Sequence, residues 1–376
     1  SISNKFPYVP PGAGTTNINF AQFEPFGFNL SVIPKNFTTP RTTNYNLTLE
    51  RELPGQTIVR IGYVGAHGSD LITSYTFNPT TPAGVQKCLA DSACVASGGF
   101  NLPTQHPDYY QYPGDIWGNA GQQTNGGYSN YNSMQLTVEK HTTHGLTFQT
   151  SYTYSHSLDV SSSFEDTAFQ AAGGVDPYGN FGRDYGSSAF DARHRWVGTF
   201  VYDIPGPKNL SNIIANRLLN GFAITGIATW QSGFPILLQD SNTLSLTCSG
   251  AYSFYGCPDR PDLVAPVTLL NPKTSTTHLW FTPSSFTDNA VGTLGNVGRG
   301  FLTGPTYSNM DFSVQKNTAI TEGKNIQLRI EFYNLFNHTN FANPVGDVAS
   351  SRFGEIRGIR SFTNSRLIQL GAKFVF

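Results

Sequence analysis

The sequence predicts an all-β, antiparallel transmembrane barrel, and three observations carry that prediction: period-two alternation, a low charged fraction, and connections that alternate between short and long. Residues 128–159 show the alternation most plainly. Met134, Leu136 and Val138 point one way, and Gln135, Thr137 and Glu139 the other. After His141-Thr142-Thr143-His144-Gly145 the pattern resumes, with Leu146, Phe148, Tyr152 and Tyr154 opposite Thr147, Gln149, Ser151, Thr153 and Ser155. Side chains on a strand alternate between its two faces, so each run is a strand with one apolar and one polar face. The short link makes the pair an antiparallel hairpin. A soluble sandwich would turn the apolar face inward. Aromatics near the strand end and long polar surroundings place it outward, against lipid.

Composition narrows the class. At 376 residues the chain holds one large or two ordinary domains. Hydrophobic residues make up 38%, charged residues 12% and aromatics 13%, with 38 Gly and 23 Pro. A disordered chain has few aromatics and usually more charge, and an ordinary enzyme carries about twice this charged fraction. The formal net charge of −1 argues against an electrostatic nucleic-acid binder. No apolar run is long enough for a transmembrane helix. The chain opens at Ser1 without an initiator methionine or signal peptide, which favours a mature or truncated piece of a longer precursor. Four cysteines fall in two close pairs, Cys88/Cys94 and Cys248/Cys257. Three connectivities are open, of which pairing between near neighbours in an oxidising compartment is the simplest. Neither pair has CxxC spacing or an intervening His, so a metal site is disfavoured.

In chain order, residues 26–33 read as a weak strand ended by Pro34. Residues 44–51 alternate on Tyr45, Leu47 and Leu49. Leu53-Pro54-Gly55 is a tight turn, and residues 56–64 put Val59, Ile61 and Tyr63 on one face. No strand pattern persists over residues 65–127. The central hairpin follows, then a Gly/Asp/Ser-rich connection over 160–192. Residues 193–204 align Trp196, Phe200, Tyr202 and Ile204, and residues 222–230 align Phe222, Ile224, Ala228 and Trp230. After a long loop over 233–305, residues 308–316 align Met310, Phe312 and Val314. Ile326, Leu328, Ile330 and Phe332 then oppose Gln327, Arg329, Glu331 and Tyr333, and residues 366–376 align Ile368, Leu370, Ala372, Phe374 and Phe376.

The pattern thus marks ten strands, several near the roughly 9–11 residues that a tilted membrane strand needs. Links at 53–55, 141–145, 205–220 and 317–325 are short or moderate. Those at 65–127, 160–192, 233–305 and 337–365 are long. Such alternation is expected of an outer-membrane barrel, with short periplasmic turns and long extracellular loops. Arg329 and Glu331 on a polar strand face suit a wet lumen and would be costly in lipid. A propeller would need blades at a fixed period, and none is found.

Candidate sites are few. Tyr109, Tyr110, Tyr112 and Trp117, beside Asp108 and Asp115, could stack on a sugar or hold a cation, or simply pack the loop. His141 and His144 flank a hairpin turn without further ligands nearby, which reads as a solvated turn. Asp191, Arg193, His194 and Arg195 invite a catalytic reading. GxSxG is absent, however, and a charged strand start accounts for them, so no enzyme is expected. GxGxxG and P-loop patterns are absent too, so no cofactor is implied.

Several stretches resemble one family. They are TNYNLTLERELPGQTIVRIGYVGAHGSDL (43–71), SNYNSMQLTVEKHTTHGLTFQTSYTYSHSLD (129–159), DARHRWVGTFVYDIP (191–205), RIEFYNLFNHTNFANP (329–344) and RLIQLGAKFVF (366–376). Together they resemble the C-terminal barrel portion of Oar-like TonB-dependent outer-membrane receptors, in the family's order. The resemblance implies a receptor or transporter in the outer membrane of a Gram-negative bacterium. Its extracellular loops would capture a ligand, and the periplasmic TonB complex would act through a lumen plug. Neither plug nor TonB box is recognisable here, and such transporter barrels have 22 strands. The chain is therefore expected to be the C-terminal portion, over residues 1–376, of a larger barrel domain, or a shortened descendant closing a smaller one. Leu370, Phe374 and Phe376 resemble the terminal signal read by the barrel-assembly machinery. A passive porin-like or structural barrel is the alternative function, ahead of a membrane-embedded enzyme and a soluble β-rich binder.

Overall fold

A computed structural model of the chain describes residues 30–32, 35–76, 78–97, 106–111, 120–143, 145–162, 176–207, 212–242, 244–247, 259–274, 276–321 and 323–376. Nine long strands form one sheet: β1 (Arg41–Leu53), β2 (Thr57–Thr76), β3 (Ala120–Thr143), β4 (Leu146–Asp159), β5 (His194–Asp203), β6 (Phe222–Gln231), β7 (Tyr307–Thr321), β8 (Lys324–Tyr333) and β9 (Leu367–Val375). Each pairs antiparallel with its neighbours in sequence, so the wall is an uninterrupted meander. β1 and β9 are its two edges, and among the described residues nothing joins them; the barrel is a partial one.

The register keeps apolar residues on one face across the whole wall. One row runs Leu49, Ile61, Leu136, Tyr152, Trp196, Trp230. A second runs Phe148, Phe200, Gly226, Phe312, Phe332, Ile368. The opposite face carries rows such as Glu139, Gln149, Thr199, Ile227, Asp311. Because the side-chain period is two, a slip of one residue would exchange the two faces. Glycines in the apolar rows make room for rings. A Cβ at Gly65 would lie 2.1 Å from the Tyr45 ring, and one at Gly226 would lie 2.4 Å from the Phe200 ring. The rings cover the bare backbone opposite them, which offsets the missing side chain in each row.

Two groups of charges on the polar face are paired. Arg60 bridges Glu50 at 2.7 Å and Glu139 at 3.4 Å, tying together β1, β2 and β3. Arg329 lies 3.7 Å from Glu331 on β8. Exposed pairs of this kind add little stability. Their value is in marking the wet side of the wall.

All four links at one end of the wall contain a left-handed glycine: Gly55 (φ +82), Gly145 (φ +82), Gly221 (φ +83) and Gly323 (φ +80). A side chain resists that conformation, so glycine closes each turn without strain. At the other end the wall carries the long loops.

Two expectations change. The weak strand over 26–33 is described only at Leu30–Val32, which pairs in parallel with Ala120–Gln122 and so stands outside the antiparallel meander. Among the described residues nine of the ten expected strands form the meander, and the remainder of 26–33 lies outside the described residues. The stretch 65–127 is far from patternless. β2 and β3 extend through it to 20 and 24 residues. Beyond Tyr63 small and polar residues predominate, and the apolar ones that remain, among them Leu71, Ile72, Tyr128 and Tyr131, keep no alternation. A strand that has risen out of lipid has no apolar face to alternate, so its period is invisible in the sequence. The same stretch contains α1 (Pro82–Ala90) and α2 (Ser92–Ala96), capped by the side chains of Thr81 and Asp91.

Candidate functional site: the loop layer above the polar wall

The long connections fold together into a layer with its own interior. One apolar cluster contains Ile236, Leu238, Phe281, Phe286, Val297 and Phe353, from the loops after β6 and β8. Phe281, Phe286 and Phe353 meet edge to face, with centroids 5.1–5.6 Å apart. Burying each such ring contributes about 1.5–3 kcal/mol, enough to hold two otherwise irregular loops together. A second cluster gathers Cys88, Cys94, Tyr109, Tyr110 and Leu246, so the loop after β2 packs on the loop after β6.

Buried ion pairs hold the loops together, and one of them joins the layer to the wall. Arg299 donates to the Asp159 carboxylate and to the Ser162 hydroxyl, and reaches the Asp159 carbonyl at 2.5 Å. Asp159 ends β4, so one guanidinium pins the loop after β6 to the top of a strand. Arg260 pairs with Asp184 of α3 (Phe181–Asp184), and Arg183 lies 3.5 Å from Asp176. Burial pushes the Asp184 carboxyl up to about 6, with Arg260 pulling against it.

Where the layer meets the polar face of β7 to β9 there is a cleft of about 640 Å³. Tyr307, Asn309, Asp311, Tyr333, Arg366 and Gln369 line it. Arg360 stands 4.4 Å over Phe234 and 5.1 Å over Tyr307, fixing the loop above β9. Phe362, near the tip of that loop, is fully exposed and holds φ +62. A bulky residue in that region costs about 1–3 kcal/mol, so the surrounding loop imposes the conformation. Rings, amides, one carboxylate and one guanidinium converge here, a donor set suited to a polar organic ligand.

The residues singled out from sequence fall in different places. Cys88 and Cys94 form a disulfide with Cα atoms 5.3 Å apart, linking α1 to α2. Cys248 and Cys257 lie outside the described residues, as do Tyr112, Trp117, Asp115 and His144. Tyr109 and Tyr110 are 9% and 3% exposed against the disulfide, and burial pushes the Tyr110 phenol up to about 12. Their faces are covered by the protein itself: Tyr109 stacks on His106 at 4.7 Å. Asp108 is salt-bridged to Lys87 at 2.5 Å. His141 is exposed at the end of β3. The Asp191 carboxylate accepts from the Ser157 amide at 2.8 Å and sits 3.4 Å from Arg193, whereas His194 meets the Tyr152 hydroxyl at 2.7 Å. Asp191 and His194 thus serve different neighbours. Leu370 and Phe374 lie on the apolar face of β9, opposite Ile330 and Ile326, and Phe374 stacks on Phe376 at 5.8 Å.

The cleft was missed in the sequence. Its residues come from three strands and a loop, each carrying polar residues common to every lumen-facing position. The one local signal was the run Asn334 to Asn340, whose amides close the end of β8: Asn334 accepts from the His338 amide at 2.8 Å, and Asn340 brackets Ser308 at 2.8 and 3.0 Å.

A meander wall with one apolar and one polar face, glycine turns at one end and a folded loop layer at the other defines an outer-membrane barrel. The chain belongs to the outer membrane β-barrel domain family, whose model matches residues 1–369. The wall therefore lies in the outer membrane, with its apolar rows against lipid. A search of curated protein sequences found no match. Among solved structures the chain is similar to the outer membrane transporter YddB from Escherichia coli, with 11% identity and a TM-score of 0.45, over 93% of this chain and 35% of that one. It is also similar to the ferric-catecholate import receptor Fiu from E. coli K12, with 10% identity and a TM-score of 0.39, over 90% of this chain and 28% of that one. For the ferripyoverdine receptor of Pseudomonas aeruginosa the identity is 10% and the TM-score 0.39, over 90% of this chain and 27% of that one. The chain spans about a third or less of the length of these proteins.

Proposed function

We propose that this chain is the C-terminal portion of the barrel of a TonB-dependent outer-membrane receptor, which takes up a ligand through a plugged lumen. The observation that carries the reading is the loop layer at one end. The long connections after β2, β6 and β8 share two apolar cores, the one after β4 is tied to them through Arg260 and Asp184, and Arg299 anchors the layer to the top of β4. A layer held this rigidly above a polar wall is suited to capturing a ligand before passage. The resemblance of residues 43–71, 129–159, 191–205, 329–344 and 366–376 to Oar-like receptors supports energy coupling over passive flow. In this reading strands outside the nine join β1 and β9, because an open sheet edge is not tolerated in lipid.

Ligand contact is assigned to the cleft under Arg360 and Phe362, and in the loop after β2 to Tyr112 and Trp117. Tyr109 and Tyr110 form the packed base of that loop. Leu370, Phe374 and Phe376 supply the signal to the barrel-assembly machinery.

Planar-bilayer conductance of the intact protein separates receptor from pore. A plugged receptor is closed at rest, opens in concentrated urea, and binds the isolated periplasmic domain of TonB. A steady open conductance without TonB binding would replace this reading with a passive porin-like barrel.

A further inference from the structure

The link between β5 and β6 differs from the other three turns at its end of the wall, because it contains a helix, α4 (Ile213–Leu219). Asn212 caps its start, accepting from the amides of Ile214 and Ala215 at 2.9 and 3.2 Å. The helix is fastened to β7 by its polar edge. Arg217 donates to the Ile320 carbonyl at 2.7 Å, and Lys316 donates to the Arg217 carbonyl at 2.8 Å and to the Asn220 carbonyl. The Arg217 and Asn220 carbonyls are acceptors of the helix C-terminus, where a cation is well placed.

Lys316 fixes the side of the wall on which the helix lies. It alternates with Val314 and Phe312 along β7, it pairs with Phe222 and Leu328, and its ammonium stands 4.4 Å over the Phe222 ring. It therefore belongs to the apolar, lipid-facing side, and α4 sits at the outer rim. At about 100° per residue, Ile214, Leu218 and Leu219 occupy the arc opposite Asn216 and Arg217. Ile214 is 66% exposed, Leu218 64% and Leu219 54%; Ile213, 61% exposed, falls on the polar edge itself between Asn216 and Arg217. No described residue covers this arc. The helix adjoins the apolar wall at Phe222, whose ring lies under the same Lys316 ammonium that holds the helix C-terminus. Beside Phe222 stands Ile204, 40% exposed, its amide donating to the Phe222 carbonyl at 2.9 Å.

We infer that α4 is an interfacial membrane helix, lying in the phospholipid leaflet at the short-turn end of the barrel. Its polar edge holds it to β7, and its aliphatic arc is immersed among acyl chains. Lys316 and Arg217 keep their stems in the apolar zone while their charged heads meet carbonyls at the rim. The occupant is lipid because the helix adjoins a surface that already faces lipid.

The inference rests on the membrane reading of the wall, and the test separates the two. Ile214→Trp and Ile61→Trp variants of the intact protein are reconstituted in phosphatidylethanolamine–phosphatidylglycerol vesicles with or without brominated phospholipid. The emission added by each new Trp is read against the parent protein. Both additions should be quenched at least twofold by brominated lipid and little affected by aqueous iodide. Quenching at position 61 alone, with position 214 open to iodide, would overturn the interfacial helix and leave the barrel reading intact. Shielding of position 214 from both quenchers would overturn it in favour of a protein partner. Failure at position 61 would remove the membrane reading itself. A Lys316→Ala variant in the Ile214→Trp background should lose at least half of the lipid quenching at position 214, because the helix C-terminus is no longer tied to the wall.

Discussion

Arg299 shows how much of the loop layer hangs on single side chains. Its side chain is 4% exposed, and its partner Asp159 has no other cation among the described residues. Replacing Arg299 with Met should leave a buried carboxylate unpaired, a loss of about 3–5 kcal/mol in local stability. Hydrogen exchange would register it as faster opening at residues 157–162 and 297–301, with the centres of β7 and β8 unchanged. Asp184 gives a pH-dependent counterpart. Its carboxyl is raised to about 6 in the folded layer, against roughly 4 in an unfolded chain. Its contribution is complete below about 4 and is lost as pH climbs through about 6. Exchange at Arg183–Tyr185, corrected for intrinsic rate, should be slower at pH 5 than at pH 7.5, and Asp184→Asn should flatten the difference. Neither residue was singled out in the sequence. A buried Arg–Asp pair 140 residues apart leaves no local trace, whereas Arg329 and Glu331, two apart on one strand, were legible at once.

At the level of elements, the hairpins and the loops answer to different chemistry. The hairpins depend on their glycine turns. Gly145→Val would impose a side chain at φ +82, where its Cβ would also meet the Asp203 carbonyl at 2.6 Å. Refolding yield into detergent should fall, while Gly62→Ala, whose Cβ meets ordinary contacts from 3.4 Å outward, should fold nearly as the parent does. The loop after β2 depends instead on the Cys88–Cys94 bridge. Closing so short a ring restrains the open chain by about 2 kcal/mol. Reduction should expose residues 78–97 to protease and leave the wall intact; protection of that segment after reduction would show that the Tyr109–Tyr110 packing suffices alone. The hairpins were legible in the sequence because lipid on one side and water on the other impose period two. The loop helices were not, although Thr81-Pro82 and Asp91-Ser92 are ordinary start signals, because a helix of five to nine residues is too short to show a period.

For the molecule as a whole, the two edges that no described residue pairs govern behaviour. Every residue of β1 and β9 is exposed, and an uncovered edge invites pairing with another chain. Residues 1–376 expressed alone should therefore associate into larger species in detergent, and Leu47→Lys with Leu370→Lys should reduce that association. A monodisperse monomer would show that the chain closes on itself. Removal of Phe376 should lower the amount of protein reaching the outer membrane severalfold, with Phe376→Tyr close to normal; equal yields for both would assign β9 an ordinary lipid-facing role.

The order of the wall has a further consequence, for history as much as for folding. Along the wall each of the nine long strands is bonded to the long strands before and after it in the chain, and the short strands Leu30–Val32 and Gly186–Ser187 attach only at its margin. The wall is therefore additive. A duplicated or deleted hairpin changes the circumference of the finished cylinder and leaves every remaining ladder as it was. Pore width could thus vary among descendants by whole hairpins, without any new pairing having to evolve.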